Sequence, residues 1–319
     1  MKGLTDIPGI RVGHASDLEA VTGCTAIVCE AGAVGGVDVR GSASGSEEVG
    51  TLHPLHITDR VHGIVLAGGS AFGLEAASGV RRYLAARGVG FVFGGQHIPI
   101  VPAAILFDLG IGRPDVRPGL EMGEAAAAAA TAEAVEEGSV GAGTGATVGK
   151  LLGMGCAMKG GVGSATVRLG GGVLVAALVA VNAAGDVRDP ATGKIVAGAR
   201  KSPESREFLD TEAEMLRREP PGRPPDLAPH NTTLAVVATN ARLAKVQATK
   251  LAQLASLGMA RTIFPVNTMA DGDTVFALSL GERAADINAL GVAAAQAVAE
   301  SILRAVRLAR SLGGVPGLG

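Results

Sequence analysis

Tryptophan is absent from the 319 residues, tyrosine occurs once and phenylalanine seven times. With so few large rings, the interior has to be built from Val, Leu, Ile and Ala. The three cysteines, Cys24, Cys29 and Cys156, form neither a CxxC pair nor an even framework, which excludes a disulfide-stapled scaffold. A net charge of −2 and a pI near 6.3 give no electrostatic reason to expect nucleic acid or an anionic membrane as partner. The longest strongly apolar run, Val173 to Val181, falls far short of the roughly 18 residues a membrane helix needs. Met1 to Asp6 lacks the apolar core of a signal peptide. A soluble, reduced, cytoplasmic protein is the expectation.

Glycine is what the chain has in abundance. Its 48 glycines follow no collagen period and read as tight turns and close backbone approaches. The hydrophobic fraction of 47% and mean hydropathy of +0.35 exclude a disordered chain. The length suits one large domain or two ordinary ones.

Continuous apolar runs bounded by Gly or Asn predict strands buried on both faces at Thr25 to Cys29, Gly63 to Leu66, Val173 to Val181, Leu234 to Thr239 and Thr274 to Leu280. Helical spacing predicts helices at Leu74 to Arg87, Glu124 to Glu137 (stopped by Gly138), Ala241 to Ser256 and Ala284 to Leu312. Their alternation points to helices packed on sheets. From Ala184 to His230 no apolar periodicity is sustained, and the stretch from Glu219 to His230 is dense in proline. Such a long loop inside a compact domain is functional or a linker.

Several motifs fail on their context. Gly141-Ala-Gly143-Thr-Gly-Ala146 fits a dinucleotide fingerprint, yet no strand precedes it and no acid follows about 20 residues on. A glycine-rich turn lining an active site fits it better. Gly149-Lys150 is followed by Leu151 and makes no P-loop. Gly68-Gly-Ser70-Ala-Phe-Gly73 resembles a nucleophile elbow whose second glycine comes one residue late. His53, His56, Asp59 and His62 have possible metal spacing but no second ligand cluster.

Asn231-Thr232 is different. Here a threonine ends a proline-rich loop and opens a buried strand. Cleavage before Thr232 would free an α-amine of pKa about 7.7–8.0 beside its hydroxyl, so the amine could serve as base for its own Oγ. The cleavage needs the same chemistry: Oγ attacks the Asn231 carbonyl, the acyl group shifts from N to O, and water releases the ester. An ordinary loop-to-strand junction accounts for the same residues.

A set of segments spread through the chain resembles the L-aminopeptidase/D-esterase family of self-processing N-terminal-nucleophile hydrolases. They are Ile10 to His14, Gly35 to Gly41, Leu66 to Leu74, Val101 to Asp108, Gly141 to Ala146, Lys159 to Ser164, Val181-Asn182, Asn231 to Ala238 and Asp271 to Ala277. They cover nearly the whole chain in order. A threonine nucleophile with a Lys, an Asn and two carboxylates is similar to the nylon-oligomer (6-aminohexanoate-oligomer) endohydrolases. Family members called β-peptidyl aminopeptidases use a serine instead, and often a tyrosine near the position of Cys156; this chain has neither.

The resemblance implies a four-layer α/β/β/α sandwich in a single domain, 1–319, self-cleaved into an α fragment, 1–231, and a β fragment, 232–319. By the same similarity Thr232 is the nucleophile, Lys159 the basic residue and Asn182 the oxyanion-hole amide. Asp271 and Asp273, two apart and so on one face of an extended chain, orient Lys159 and the Thr232 amine. No metal or organic cofactor is implied. The expected partners are a small peptide, peptide amide or ω-amino-acid oligomer, the chain's own cleaved fragment, and further copies in a homotetramer. Two alternatives remain at this level: an acyltransferase of the ornithine acetyltransferase type, and an uncleaved scaffold.

Overall fold

A computed structural model describes residues 1–217 and 231–319. Nine strands form the central framework: β1 (Arg11–Asp17), β2 (Thr22–Val39), β3 (Gly45–Glu47), β4 (Val61–Ala67), β5 (Ala103–Ile105), β6 (Gly161–Arg168), β7 (Leu174–Asn182), β8 (Thr232–Ala241) and β9 (Thr274–Arg283). Hydrogen bonding runs in the order β6-β7-β8-β9-β2-β4-β5-β3, with β1 on the edge of β2. The pairs β8–β9 and β4–β5 are parallel and the others antiparallel. The 18-residue β2 pairs with β4 through Cys24 to Val28 and with β9 through Val34 to Val39, so it belongs to two sheet layers. Between these halves the register shifts and Gly32 adopts φ +79°, a turn that favours glycine.

Alternation along each strand sends its side chains into two different cores. Leu234, Val236 and Ala238 of β8 meet Ile27 of β2 and Ile64 and Leu66 of β4 between the sheets. Ala235 and Val237 face outward with Val175, Val179 and Val181 of β7 against α3 (Lys245–Ala260) and α4 (Ile287–Arg307). On the far side, Val65 and Ala67 of β4 pack against α1 (Ala76–Ala85) and α2 (Leu120–Ala128). The result is an α/β/β/α sandwich, as the resemblance implies. Glycine permits the helices to approach closely. A Cβ on Gly163 of β6 would lie 2.0 Å from the Ser301 carbonyl oxygen of α4, and one on Gly36 of β2 would lie 2.3 Å from the Thr249 nitrogen of α3.

The structure moves several expected boundaries. The alanine-rich helix ends at Ala128 instead of Glu137, because the following chain pairs with β1: Thr131 and Val12 exchange N–H···O bonds of 3.0 Å. Ala241 belongs to β8, and α3 starts at Lys245. The loop expected from Ala184 carries a small sheet in which Asp186–Arg188 pairs with Ile195–Ala197 and with Ile263–Phe264, and a short helix at Thr211–Arg217. The proline-dense stretch expected at Glu219 to His230 falls, but for Asn231 beyond it, outside the described residues. By length and composition α4 could cross a membrane, yet 72% of its apolar window is buried against the sheet and α3. Its Asp286 N-cap accepts from the Asn288 and Ala289 N–H groups, and Arg304 and Arg307 sit favourably at its C-terminal end.

Candidate active site

The site forms where three strand ends meet. In the β7–β8 register Asn182, the last residue of β7, lies directly opposite Thr232, the first of β8. In the same parallel register, three positions before the first β8–β9 pair Leu234–Thr274, a bridge joins Asn231 and Asp271. Asn231 donates its N–H to the Ala270 carbonyl at 2.9 Å, and its own carbonyl accepts from the Gly272 N–H at 2.7 Å. The Thr232 hydroxyl donates to that same carbonyl oxygen at 2.5 Å. Thr232 is 2% exposed. The hydroxyl therefore rests against the acyl group preceding it, inside the protein.

Asp271 and Asp273 flank this point, and both are buried. Asp273 Oδ1 accepts from the Thr233 N–H at 2.6 Å and Oδ2 from the Asn267 N–H at 2.9 Å. Asp271 Oδ2 accepts from the Thr268 N–H at 3.0 Å and from its hydroxyl. Burial, followed by the neighbouring Asp271 charge, raises the Asp273 carboxyl well above the ordinary carboxylate range.

The two buried lysines have different partners. Lys159 is fully buried, and its Nζ donates to the Thr144 and Ala146 carbonyls, each at 2.7 Å. The amine that reaches Asn182 belongs to Lys150: its Nζ donates to Asn182 Oδ1 at 2.8 Å and to the Asn182 carbonyl at 3.0 Å. Asn182 Oδ1 also accepts from the Thr147 N–H at 3.0 Å, while Nδ2 donates to the Phe107 carbonyl at 3.0 Å. Burial pushes both amines down to about 7. Asp271, Asp108 and Asp273 oppose this at Lys150, whereas only Asp108 does so at Lys159. The carboxylates before β9 thus act electrostatically on Lys150.

Asp108 is a third buried carboxylate that the sequence did not single out. It accepts from the Gly69 N–H and the Thr22 hydroxyl, both at 2.7 Å. A Cβ on Gly68 would lie 2.0 Å from its Oδ2, so glycine is required there. Asp108 and Lys150 border a small cavity whose apolar walls include Phe107, Ile111 and Met154, and Gly145 of the glycine-rich turn lines it. Only the pairing of a fold-specific turn with Asn182 gives Lys150 meaning; in the sequence it reads as the end of a failed P-loop. Ser70 adopts φ +54° after β4, the backbone of an elbow, with the neighbouring Gly69 N–H held on Asp108. Among the described residues no group of three or more His, Cys, Asp or Glu side chains is arranged to hold a metal ion.

A buried hydroxyl at a strand start thus lies opposite Asn182, which Lys150 holds, within a layered α/β/β/α core. The model of peptidase family S58 matches residues 2–318, and the chain belongs to that family. It is a hydrolase of amide or peptide bonds. An uncharacterized aminopeptidase of Mycobacterium leprae is 38% identical, covering 99% of this chain and 93% of its own. A 6-aminohexanoate-oligomer endohydrolase of Kocuria sp. is 32% identical over 95% of this chain and 85% of that protein. Among solved structures, a Burkholderia sp. beta-aminopeptidase superposes with a TM-score of 0.69 at 26% identity, covering 100% of this chain and 91% of that one. The L-aminopeptidase D-Ala-esterase/amidase of Ochrobactrum anthropi, a variant of the Ntn hydrolase fold, gives 0.72 at 19% identity, over 99% and 88% of the two chains.

Proposed function

We propose that this chain is an N-terminal threonine amide hydrolase that cleaves itself between Asn231 and Thr232. The α fragment is 1–231 and the β fragment 232–319. The observation that carries the reading is the Thr232 hydroxyl, buried and seated on the Asn231 carbonyl while Asn182 faces it across the strand pair. In turnover the freed Thr232 amine takes the Oγ proton, Oγ bonds to the substrate carbonyl carbon, and the amine of the substrate leaves with that proton. Asn182 stabilises the oxyanion. Lys150 holds the Asn182 side chain, and Lys159 supports the turn from Thr144 to Ala146 from beneath. Asp271 and Asp273 balance the amines. Water then hydrolyses the acyl-enzyme.

The substrates are small peptides, peptide amides or ω-amino-acid oligomers. Relatives named as aminopeptidases and as 6-aminohexanoate-oligomer endohydrolases support the two ends of this range. The reading includes a cytoplasmic homotetramer, for which the exposed Val92, Phe93 and Ile98 on the 91–98 hairpin offer apolar contact surface.

Intact mass under denaturing conditions, before and after warm incubation, tests the reading. The expected result is conversion of the 319-residue chain into fragments of 231 and 88 residues. Thr232→Ala should stay whole and lose amide hydrolysis. Full turnover by Thr232→Ala would overturn the mechanism.

A further inference from the structure

Breaking the Asn231–Thr232 bond requires a donor for the carbonyl oxygen that becomes negative as Oγ adds to it. We infer that the backbone N–H of Gly272 is this donor, so that self-cleavage has an oxyanion contact of its own, separate from Asn182. The inference rests on the self-processing proposed above and adds to it a residue and a division of labour.

Three observations carry it. The Gly272 N–H already donates to the Asn231 carbonyl at 2.7 Å in the uncleaved chain. Asn182, although opposite Thr232 in register, donates from its side-chain amide to the Phe107 carbonyl, and its side-chain oxygen accepts from Lys150 and Thr147. Lastly, the Gly272 peptide is clamped on both sides. The Asp271 carbonyl accepts from the Ala43 N–H at 2.9 Å, and the Asp273 carbonyl accepts from Arg40 and Gly41 at 3.0 and 3.2 Å. The two side-chain carboxylates are tied to Thr268, Thr233 and Asn267. Preorganised donors of this kind stabilise the charge without reorienting during the reaction. Position 272 also has to be glycine, since a Cβ there would lie 2.7 Å from Thr232 Oγ and 2.9 Å from the Ala43 carbonyl oxygen.

The step balances as an N-to-O acyl shift. Oγ bonds to the Asn231 carbonyl carbon, and the oxygen, now negative, keeps the Gly272 contact. The C–N bond then breaks, with the hydroxyl proton ending on the Thr232 nitrogen. Water hydrolyses the resulting ester to the Asn231 carboxylate and the free Thr232 hydroxyl. Asp271 and Asp273 are positioning residues for this step, through the peptide between them.

The test replaces Gly272 in the full chain by glycolate, which turns its N–H into an ester oxygen and adds no side chain. Loss of one oxyanion donor lowers rates by about 10²–10³-fold in comparable sites, so self-cleavage followed by intact mass should slow by about 10²-fold. Cleavage at the wild-type rate would overturn the Gly272 assignment while leaving self-processing intact. Failure of the wild-type chain to cleave would remove the proposed function itself. Should the ester-containing chain not fold, amide exchange in uncleaved Thr232→Ala provides the second readout. There the Gly272 N–H should be strongly protected; exchange at the rate of a solvent-exposed amide would sink the proposal.

Discussion

Thr232, Asn182 and Lys150 are set apart by burial as much as by identity. An amine removed from water loses its preference for the charged form, and Lys150 is brought down to about 7 although three carboxylates pull the other way. Near neutral pH it can therefore exist in either form, which suits the role proposed for it beside Asn182. Lys150→Met keeps the apolar stem and removes both hydrogen bonds to Asn182. We expect kcat on an amide substrate to fall by about 10²-fold, the effect of a misplaced oxyanion donor. The pH dependence of kcat near 7 should change with it, although Lys159 and Asp273 are brought to the same range and still titrate there. A kcat loss with an unchanged pH profile would instead mark Lys150 as packing only. Asp271 and Asp273 were legible only through the family resemblance, their spacing adding that both lie on one face, and Thr232 because it opens an apolar strand. Lys150 was not, since its partner lies 32 residues away and nothing local announces it.

Among the elements, the strands were the most legible. Val173 to Val181 and Leu234 to Ala238 are apolar at every position because both their faces are covered, one by the opposing sheet and one by helices. The helix ends were less so. Six consecutive alanines favour helix by propensity, but Thr131 pairs with the free edge of β1, and that pairing ends α2 at Ala128. Glycines inside strands tell a related story, because the helix lying over each one is invisible in the sequence. Gly163→Ala would force the α4 backbone away from β6. In the uncleaved Thr232→Ala background, urea unfolding should show a loss of about 1–3 kcal/mol, the usual cost of overpacking. A change below about 0.5 kcal/mol would mean that α4 can shift freely, contrary to its close seat on the strand.

For the molecule as a whole, the buried lysines make stability depend on pH in an unusual direction. The ordinary lysine value is 10.5, and folding lowers Lys150 and Lys159 to about 7. Between these values the unfolded chain binds more protons than the folded one, so stability rises with pH. Cys24 and Cys29 act oppositely above their ordinary 9.0, since burial pushes both thiols up to about 12. Thermal melts of Thr232→Ala should therefore shift upward between about pH 7 and pH 9. Lys150→Met in the same background should flatten that rise; a melting temperature that falls across this window would contradict the burial of the two amines in neutral form.

The sequence alone pointed to helices packed on sheets, because strands that are apolar throughout require cover on both faces, and it marked Thr232 at the start of a buried strand. The α/β/β/α layering and the Asp271–Asp273 pair came only through the family resemblance. Tertiary structure alone decided which lysine serves Asn182, that Asp108 is buried beside the cavity, and that the Gly272 N–H meets the Asn231 carbonyl. Each of these depends on segments brought together by sheet register and glycine-permitted close approach, and such contacts leave no periodic trace in the chain.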